Sequence, residues 1–201
     1  MANFDIFYTQ LAKHEGGYVN HGADRGGETY AGISRRYHPT WSGWNVIDST
    51  KKPITTISSL VPLVKDFYYR EFWDKIQGNQ IKSQSVANLL ADYAVNSGIS
   101  RAIKDIQGIL GVVQDGIIGS ITVNAINSSD SLQLFEALKS KRIAYVNQIA
   151  RNDSSQSVFL NGWLNRINSF FFSDTAKKTG VIVVGLALLG TLTWLAIKHK
   201  R

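Results

Sequence analysis

The sequence predicts a mainly α-helical protein of α+β class with one small hairpin, followed by a single apolar C-terminal helix. Three patterns carry this. Apolar residues recur at helical spacing over 60–76 and 86–97. Glycines at 16, 17, 22, 26, 27 and 32 break regular structure after a first short helix and favour turns. Residues 180–197 are eighteen in a row without a charge.

Taken in order, Phe4, Ile6, Phe7 and Leu11 recur near helical spacing and run into His14-Glu15, where Gly16-Gly17 stops the helix. The segment 19–34, with Asn20, Asp24 and Thr29 among its glycines, reads as turns or a short hairpin that folds back beside the helix end. Residues 39–57 contain Trp41, Trp44 and Pro53 without a clear period and read as loop with at most one short helix. The helix over 86–97 ends at Gly98, a C-cap position. Further helices are expected at 101–110, 120–126, 131–151 and 157–170.

A chain of 201 residues is long enough for an ordinary core. It has no cysteine, which excludes disulfides, thiolate metal sites and a cysteine nucleophile. The formal charge of +7 is unevenly spread: residues 173–201 carry +4, leaving +3 on the rest. That excess suits weak attraction to any polyanion, bacterial wall polymers included. Basic residues are not interleaved with aromatics on any one expected face, so nucleic acid is not an expected partner. The N-terminus lacks the basic start, apolar run and cleavage site of a secretory signal.

As a helix at ~1.5 Å per residue, 180–197 spans about 27 Å, close to a bilayer hydrocarbon core. Lys177-Lys178 and Lys198-His199-Lys200-Arg201 flank it, with Trp194 near one end. The expectation is a C-terminal transmembrane anchor.

Glu15 at a helix end and Asp24 nine positions later in a glycine-rich loop are the candidate reacting pair. Glycoside hydrolysis needs one protonated acid to donate to the leaving oxygen and a second carboxylate to activate water or stabilise the oxocarbenium-like transition state. Glu28 is set aside in favour of Thr29, because adjacent residues of an extended segment point to opposite faces. His14 and His21 lack a third ligand at suitable spacing, so no metal is expected, and this chemistry requires no cofactor.

The strings HEGGYVN and DRGGET…GIS within 14–34, ADYAVNSG at 91–98, AIKDIQGILGVVQDGIIGSITVNAI at 102–126 and FLNGWLNRI at 159–167 occur in the order of a known family. Over residues 3–170 the chain resembles the glycoside hydrolase family 108 lysozymes with their C-terminal peptidoglycan-binding-like helical segment. The resemblance implies a lysozyme-like fold with the hairpin at the active site, and hydrolysis of the β-1,4 bond between N-acetylmuramic acid and N-acetylglucosamine. It implies Glu15 as general acid, with Asp24 and Thr29 at the family's loop positions. The loop Asn20-His21-Gly22-Ala23-Asp24 departs from the family's more acidic, proline-containing pattern and leaves Asp24 the one carboxylate between Glu15 and Glu28.

Tyr18 and Tyr30 offer aromatic faces for sugar rings, with Tyr93 as a further candidate. Asn96 is placed to reach an N-acetyl group, and Asp92 is either a substrate contact or a buried hydrogen-bond partner. The 115–119 turn (DGIIG) resembles that of peptidoglycan-binding modules and reads as a structural brace. The expected organisation is a catalytic region at 1–98, a helical peptidoglycan-binding-like region at 99–172 packed on it, a linker at 173–179, the anchor at 180–197 and a basic tail at 198–201. With the anchor, the resemblance implies a peptidoglycan hydrolase held in the lipid membrane of a phage virion or in the bacterial inner membrane and facing the cell wall, acting locally in phage penetration of the wall or release, in company with virion capsid or membrane proteins. The rival reading is a non-enzymatic glycan-binding or structural virion or envelope protein.

Overall fold

The computed structural model describes residues 1–12, 17–20, 27–50 and 58–174. Helix α1, Phe4–Leu11, begins where the Asn3 side chain accepts a hydrogen bond from the Asp5 N–H at 2.7 Å. Three two-residue strands follow: β1 (Tyr18–Val19), β2 (Thr29–Tyr30) and β3 (Ile33–Ser34), an antiparallel sheet in chain order. Helices α2 (Gly43–Ser49), α3 (Leu60–Tyr68), α4 (Gln84–Ser97), α5 (Ile99–Leu110), α6 (Ser120–Ser128), α7 (Ser131–Asn152) and α8 (Leu160–Asn168) complete the described chain.

Helix α4 is the spine. Its residues from Ser85 to Ala94 are all buried, and it packs against α1, α5 and α7. A helix apolar nearly all round is one that other elements enclose. One hydrophobic cluster therefore runs from Phe7 and Trp73 on one side of α4 to Ile106 and Leu138 on the other. Both ends of α4 are tied. At its start, Asp174 accepts from the Ser85 N–H at 2.9 Å and from the Ser83 and Ser85 hydroxyls, while Gln84 exchanges two hydrogen bonds with the backbone of Asn3.

Near its end lies Asp92, 0% exposed and acidic. Arg142 of α7 donates to it from Nη2 at 2.7 Å, and Arg166 of α8 donates from Nη2 and Nε at 2.7 and 3.0 Å. Three helices thus converge on one carboxylate. A buried charge survives only when paired and hydrogen-bonded.

The expected helix over 60–76 is divided. Helix α3 stops at Tyr68 and continues as a single π-helical turn over Tyr69–Trp73, closed by the Asp74 N–H donating to the Tyr69 carbonyl at 2.8 Å. The wider turn accompanies the placement of Trp73 in the core, where its indole stacks on Phe7 with centroids 5.5 Å apart. Gly78 lies against that indole so closely that a Cβ would come within 2.3 Å of the ring. Continuous apolar periodicity cannot show such a bulge, because one extra residue in a turn barely disturbs the pattern. Likewise, the expected helix over 157–170 is a 3-10 segment, Ser154–Phe159, followed by α8.

The expectation of a transmembrane helix is corrected. Among the described residues no helix is long and apolar enough to cross a membrane. The longest, α7, interrupts its apolar face with Glu136, Lys139, Lys141, Arg142 and Arg151. The expected span at 180–197, the basic tail, and all but the first two residues of the 173–179 linker lie outside the described residues. The fold is accordingly a mainly helical lysozyme-like one with a small sheet, and the membrane-anchored location and lipid partner are withdrawn with the span.

Replacing the shared carboxylate tests the spine. Asp92→Ala leaves the buried Arg142 guanidinium without its acceptor and removes the carboxylate that ties Arg166 to α4, and we expect it to cost about 3–5 kcal/mol, lowering Tm by on the order of 10 °C. A thermal melt indistinguishable from that of the native protein shows that the triad does not hold α7 and α8 to α4.

Candidate active site

The hairpin is positioned by its turn and by α3. Tyr30 pairs with Ile33 across a two-residue turn, Ala31-Gly32, in which both residues have positive φ, 45° and 78°. That is the signature of a type I′ turn, whose twist matches the flanking strands. Gly32 adopts such a backbone at little cost, whereas Ala31 is strained there. The strained residue is held from two sides: the Tyr68 hydroxyl donates to the Ala31 carbonyl at 2.9 Å, and the Ala31 N–H donates to the Gly17 carbonyl at 3.3 Å.

Register then sorts the side chains. Tyr18 lies opposite Tyr30, and Val19 opposite Thr29, so the tyrosines share one face with the buried Ile33 while Thr29 and Ser34 share the other. Glu28 belongs to the tyrosine side: its Oε1 accepts from the Tyr18 hydroxyl at 3.0 Å and its Oε2 from Arg35 Nη1 at 2.7 Å. Thr29, on the opposite face, donates from Oγ1 to the Gly27 carbonyl at 3.1 Å. Alternation thus separates Glu28 from Thr29. Tyr30 stacks on Trp41 with centroids 6.1 Å apart, and burial pushes its hydroxyl pKa up.

Arg35 also donates from Nη1 and Nη2 to Asp48 of α2 at 2.8 and 2.5 Å, and its guanidinium lies over Trp44. Hydrogen bonds to Asp48 and then Glu28 hold its pKa above the usual arginine value, while Arg35 holds the Asp48 carboxyl below its usual range. The Tyr18–Glu28–Arg35–Asp48 chain escaped the sequence reading, because its members come from a strand, a turn and a helix with no common period. The one visible signal was an acid and an arginine flanking the same short hairpin.

Glu15 and Asp24 lie outside the described residues, as do His14 and His21. The residues flanking 13–16 are Ala12 and Gly17. Ala12 borders a cavity of about 90 Å³ with Leu11, Ala31 and Tyr68, and the Gly17 carbonyl accepts from Ala31. A second cleft of about 140 Å³ lies on the other side of Tyr68, lined by Gly32, Tyr37, His38, Phe67 and Val95. The described frame is therefore a hairpin tip clamped between the end of α1 and α3, with aromatic hollows on both flanks.

Two expected substrate contacts are corrected by burial. Asp92 and Tyr93 are both 0% exposed. Asp92 is consumed by Arg142 and Arg166, and Tyr93 donates its hydroxyl to Asp105 at 2.6 Å. Burial, followed by the Asp105 hydrogen bond, drives the Tyr93 pKa up. Neither has surface to offer a polysaccharide. Asn96 is exposed but faces a different cavity from the hairpin: it borders one with Arg142 and Arg166, whereas its neighbour Val95 borders the cleft beside Tyr68. The 115–119 turn is braced from α5, with Gln107 Nε2 donating to Asp115 Oδ1 at 2.7 Å and Gln107 Oε1 accepting from the Gly116 N–H at 3.0 Å.

The chain matches the family Glycosyl hydrolase 108 over residues 8–98 and the Predicted Peptidoglycan domain over residues 101–168. Residues 8–98 are a glycosyl hydrolase 108 unit. Its fold is similar to that in the structure of Brucella abortus SagA, with a TM-score of 0.66 and 28% sequence identity over 86% of this chain and 97% of that one. A search of curated proteins returns no significant match. Family membership makes this chain a glycoside hydrolase of lysozyme-like type and decides against the non-enzymatic reading. The second match identifies peptidoglycan as what the glycosyl hydrolase 108 unit acts upon.

The hairpin clamp is tested at Tyr68. Tyr68→Phe removes one hydrogen bond from Ala31 without changing the packed ring, and we expect a loss of about 1 kcal/mol and a fall in Tm of roughly 2–4 °C. Calorimetry showing no fall places the support of the turn elsewhere.

Proposed function

We propose that this hydrolase cleaves the β-1,4 bond between N-acetylmuramic acid and N-acetylglucosamine, with Glu15 as general acid. The observation that carries the reading is the family match over 8–98, which spans Glu15, Asp24 and Thr29 together with the hairpin clamped beside the end of α1. The Glu15 carboxyl gives its proton to the glycosidic oxygen as the bond to the anomeric carbon breaks. Asp24 activates the incoming water or stabilises the developing positive charge, and Thr29 orients the reacting group. Tyr18 and Tyr30 flank the path of the glycan. The Glu28–Tyr18 hydrogen bond and the Tyr30–Trp41 stack hold both rings in place, which limits the entropy lost on binding.

Residues 1–98 act as the catalytic region and 99–172 as the region that helps hold peptidoglycan. The single core shared across α4 keeps the two in fixed relation. The phage setting rests on the family resemblance alone.

Turbidity loss and released-sugar analysis on purified peptidoglycan test the assignment. The native chain is expected to clear it and leave new N-acetylmuramic acid reducing ends, and Glu15→Gln to reduce the rate by about 10²–10⁴-fold with an unchanged melt. Clearing by Glu15→Gln at the native rate removes Glu15 from the mechanism. Reducing ends on N-acetylglucosamine instead would change the bond assigned.

A further inference from the structure

Between the outer face of α1 and the chain that follows α8 lies a groove of about 470 Å³ that the mechanism above does not use. Phe4, Phe7 and Leu11 turn one face of α1 to the core, and Ile6, Thr9 and Gln10, spaced to share another face, form one wall of the groove. The opposite wall is the segment 169–173. Its three phenylalanines alternate: Phe170 is buried, Phe172 packs edge-on against Phe135 with centroids 5.8 Å apart, and Phe171 between them is 74% exposed. This wall is fastened to α7 and α4, because the Phe170 carbonyl accepts from Lys139 Nζ at 2.8 Å and the Ser173 N–H donates to Ser85 Oγ at 3.0 Å. The exposed ring is thus carried on a fixed segment.

The floor is a relay of amides. The Asn3 N–H donates to Gln84 Oε1 at 2.7 Å, Gln84 Nε2 donates to Asn88 Oδ1 at 2.7 Å, and Asn88 Nδ2 donates to Gln10 Oε1 at 3.3 Å. A backbone N–H can only donate, so the orientation of each amide follows from the one before it. The relay ends at Gln10 Nε2, which has no hydrogen-bond partner among the described residues and belongs to a side chain bordering the groove. Thr9 donates its hydroxyl to the Asp5 carbonyl at 2.8 Å, which leaves its oxygen as an acceptor. None of the described residues lining the groove is titratable.

Neutral amides and hydroxyls beside an exposed aromatic ring suit an uncharged saccharide, whose ring face is apolar and whose rim is polar. A peptide bearing carboxylates finds no counter-charge among these walls. At ~30 Å³ per water the groove has room for about fifteen waters, the scale of a sugar ring with its substituents rather than of an ion. We propose that it is a second saccharide site, binding an uncharged stretch of N-acetylated glycan with one sugar ring against Phe171 and an acetamido carbonyl accepting from Gln10 Nε2. The choice of glycan rests on the peptidoglycan reading above. The groove shares no lining residue with the hollows beside the hairpin and includes none of residues 101–168, the span of the peptidoglycan-domain match. The wall is then gripped on the outer face of α1 while the glycosidic bond is cut at the hairpin.

Titration of the isotopically labelled full chain with chitohexaose, followed by amide NMR, tests this. The Gln10 side-chain amide and the Ser173 N–H are expected to shift saturably. Phe171→Ala removes the platform and Gln10→Leu the donor, and each is expected to weaken the titration read at Ser173 by about fivefold or more, with thermal melts identifying any variant that fails to fold. Unmoved Gln10 and Ser173 signals, shifts confined to the hairpin, or undiminished affinity in either folded variant overturns the site. Equal affinity of the same signals for the tetrapeptide Ala-D-Glu-Lys-D-Ala overturns its assignment to glycan. Peptidoglycan clearing by the same native preparation separates the two readings. Clearing with the Gln10 and Ser173 signals unmoved overturns this site alone, and saturable shifts without clearing support this site and overturn the hydrolase assignment.

Discussion

Everything in this fold leans on the burial of α4, and α4 in turn is held at its far end by one carboxylate. Asp92 has no exposed surface and accepts hydrogen bonds from arginines of two different helices. Because an uncompensated buried charge is so unfavourable, α7 and α8 cannot drift from α4 without exposing or orphaning the group. The opposite end of α4 is fastened by Asp174 and by the Asn3–Gln84 exchange, which bring the C-terminal segment and the start of α1 to the same place. A helix fixed at both ends and enclosed along its length is a rigid reference for whatever is built beside it.

The hairpin is what is built beside it, and its own stability is small. Six residues in three two-residue strands make too little sheet to stand alone. Its geometry is borrowed from the helices: Tyr68 reaches up to Ala31, Trp41 backs Tyr30, and Arg35 joins Glu28 to Asp48. Glycoside hydrolysis depends on placing an acid and a second group on either side of one bond. A strained turn clamped by a core tyrosine gives that kind of placement more firmly than a free loop of the same glycine content. The aromatic stack of Phe7 on Trp73 extends the same rigidity to α1, whose last turn faces the hairpin tip.

Much of this was legible in the residues. The helices α4, α5, α6 and α7 follow the apolar period within a few residues, since each buries one side and the period is the burial. The hairpin was legible from its glycines, and the brace at 115–119 from its Asp-Gly turn. The π-helical turn at Tyr69 was hidden because the apolar pattern passes through it unbroken. In the sequence Asp92 and Tyr93 look like ligand contacts or stay ambiguous, because they sit in a motif-like string beside Asn96. Their partners Arg142, Arg166 and Asp105 come from helices elsewhere in the chain, and no local window contains them.

The sequence by itself determined the helical class, the place of the hairpin, the family and the identity of the candidate acid. All of these depend on short-range patterns: periodicity, turn chemistry and residue order. Only the tertiary structure decided which polar residues are spent on the core and which face a cavity. It placed Asp92 among arginines, set Glu28 against Tyr18 rather than beside Thr29, and sent Val95 and Asn96 to different hollows. The physical reason is that burial and charge pairing are properties of surfaces brought together from distant segments, and a residue's type records only that it can take part.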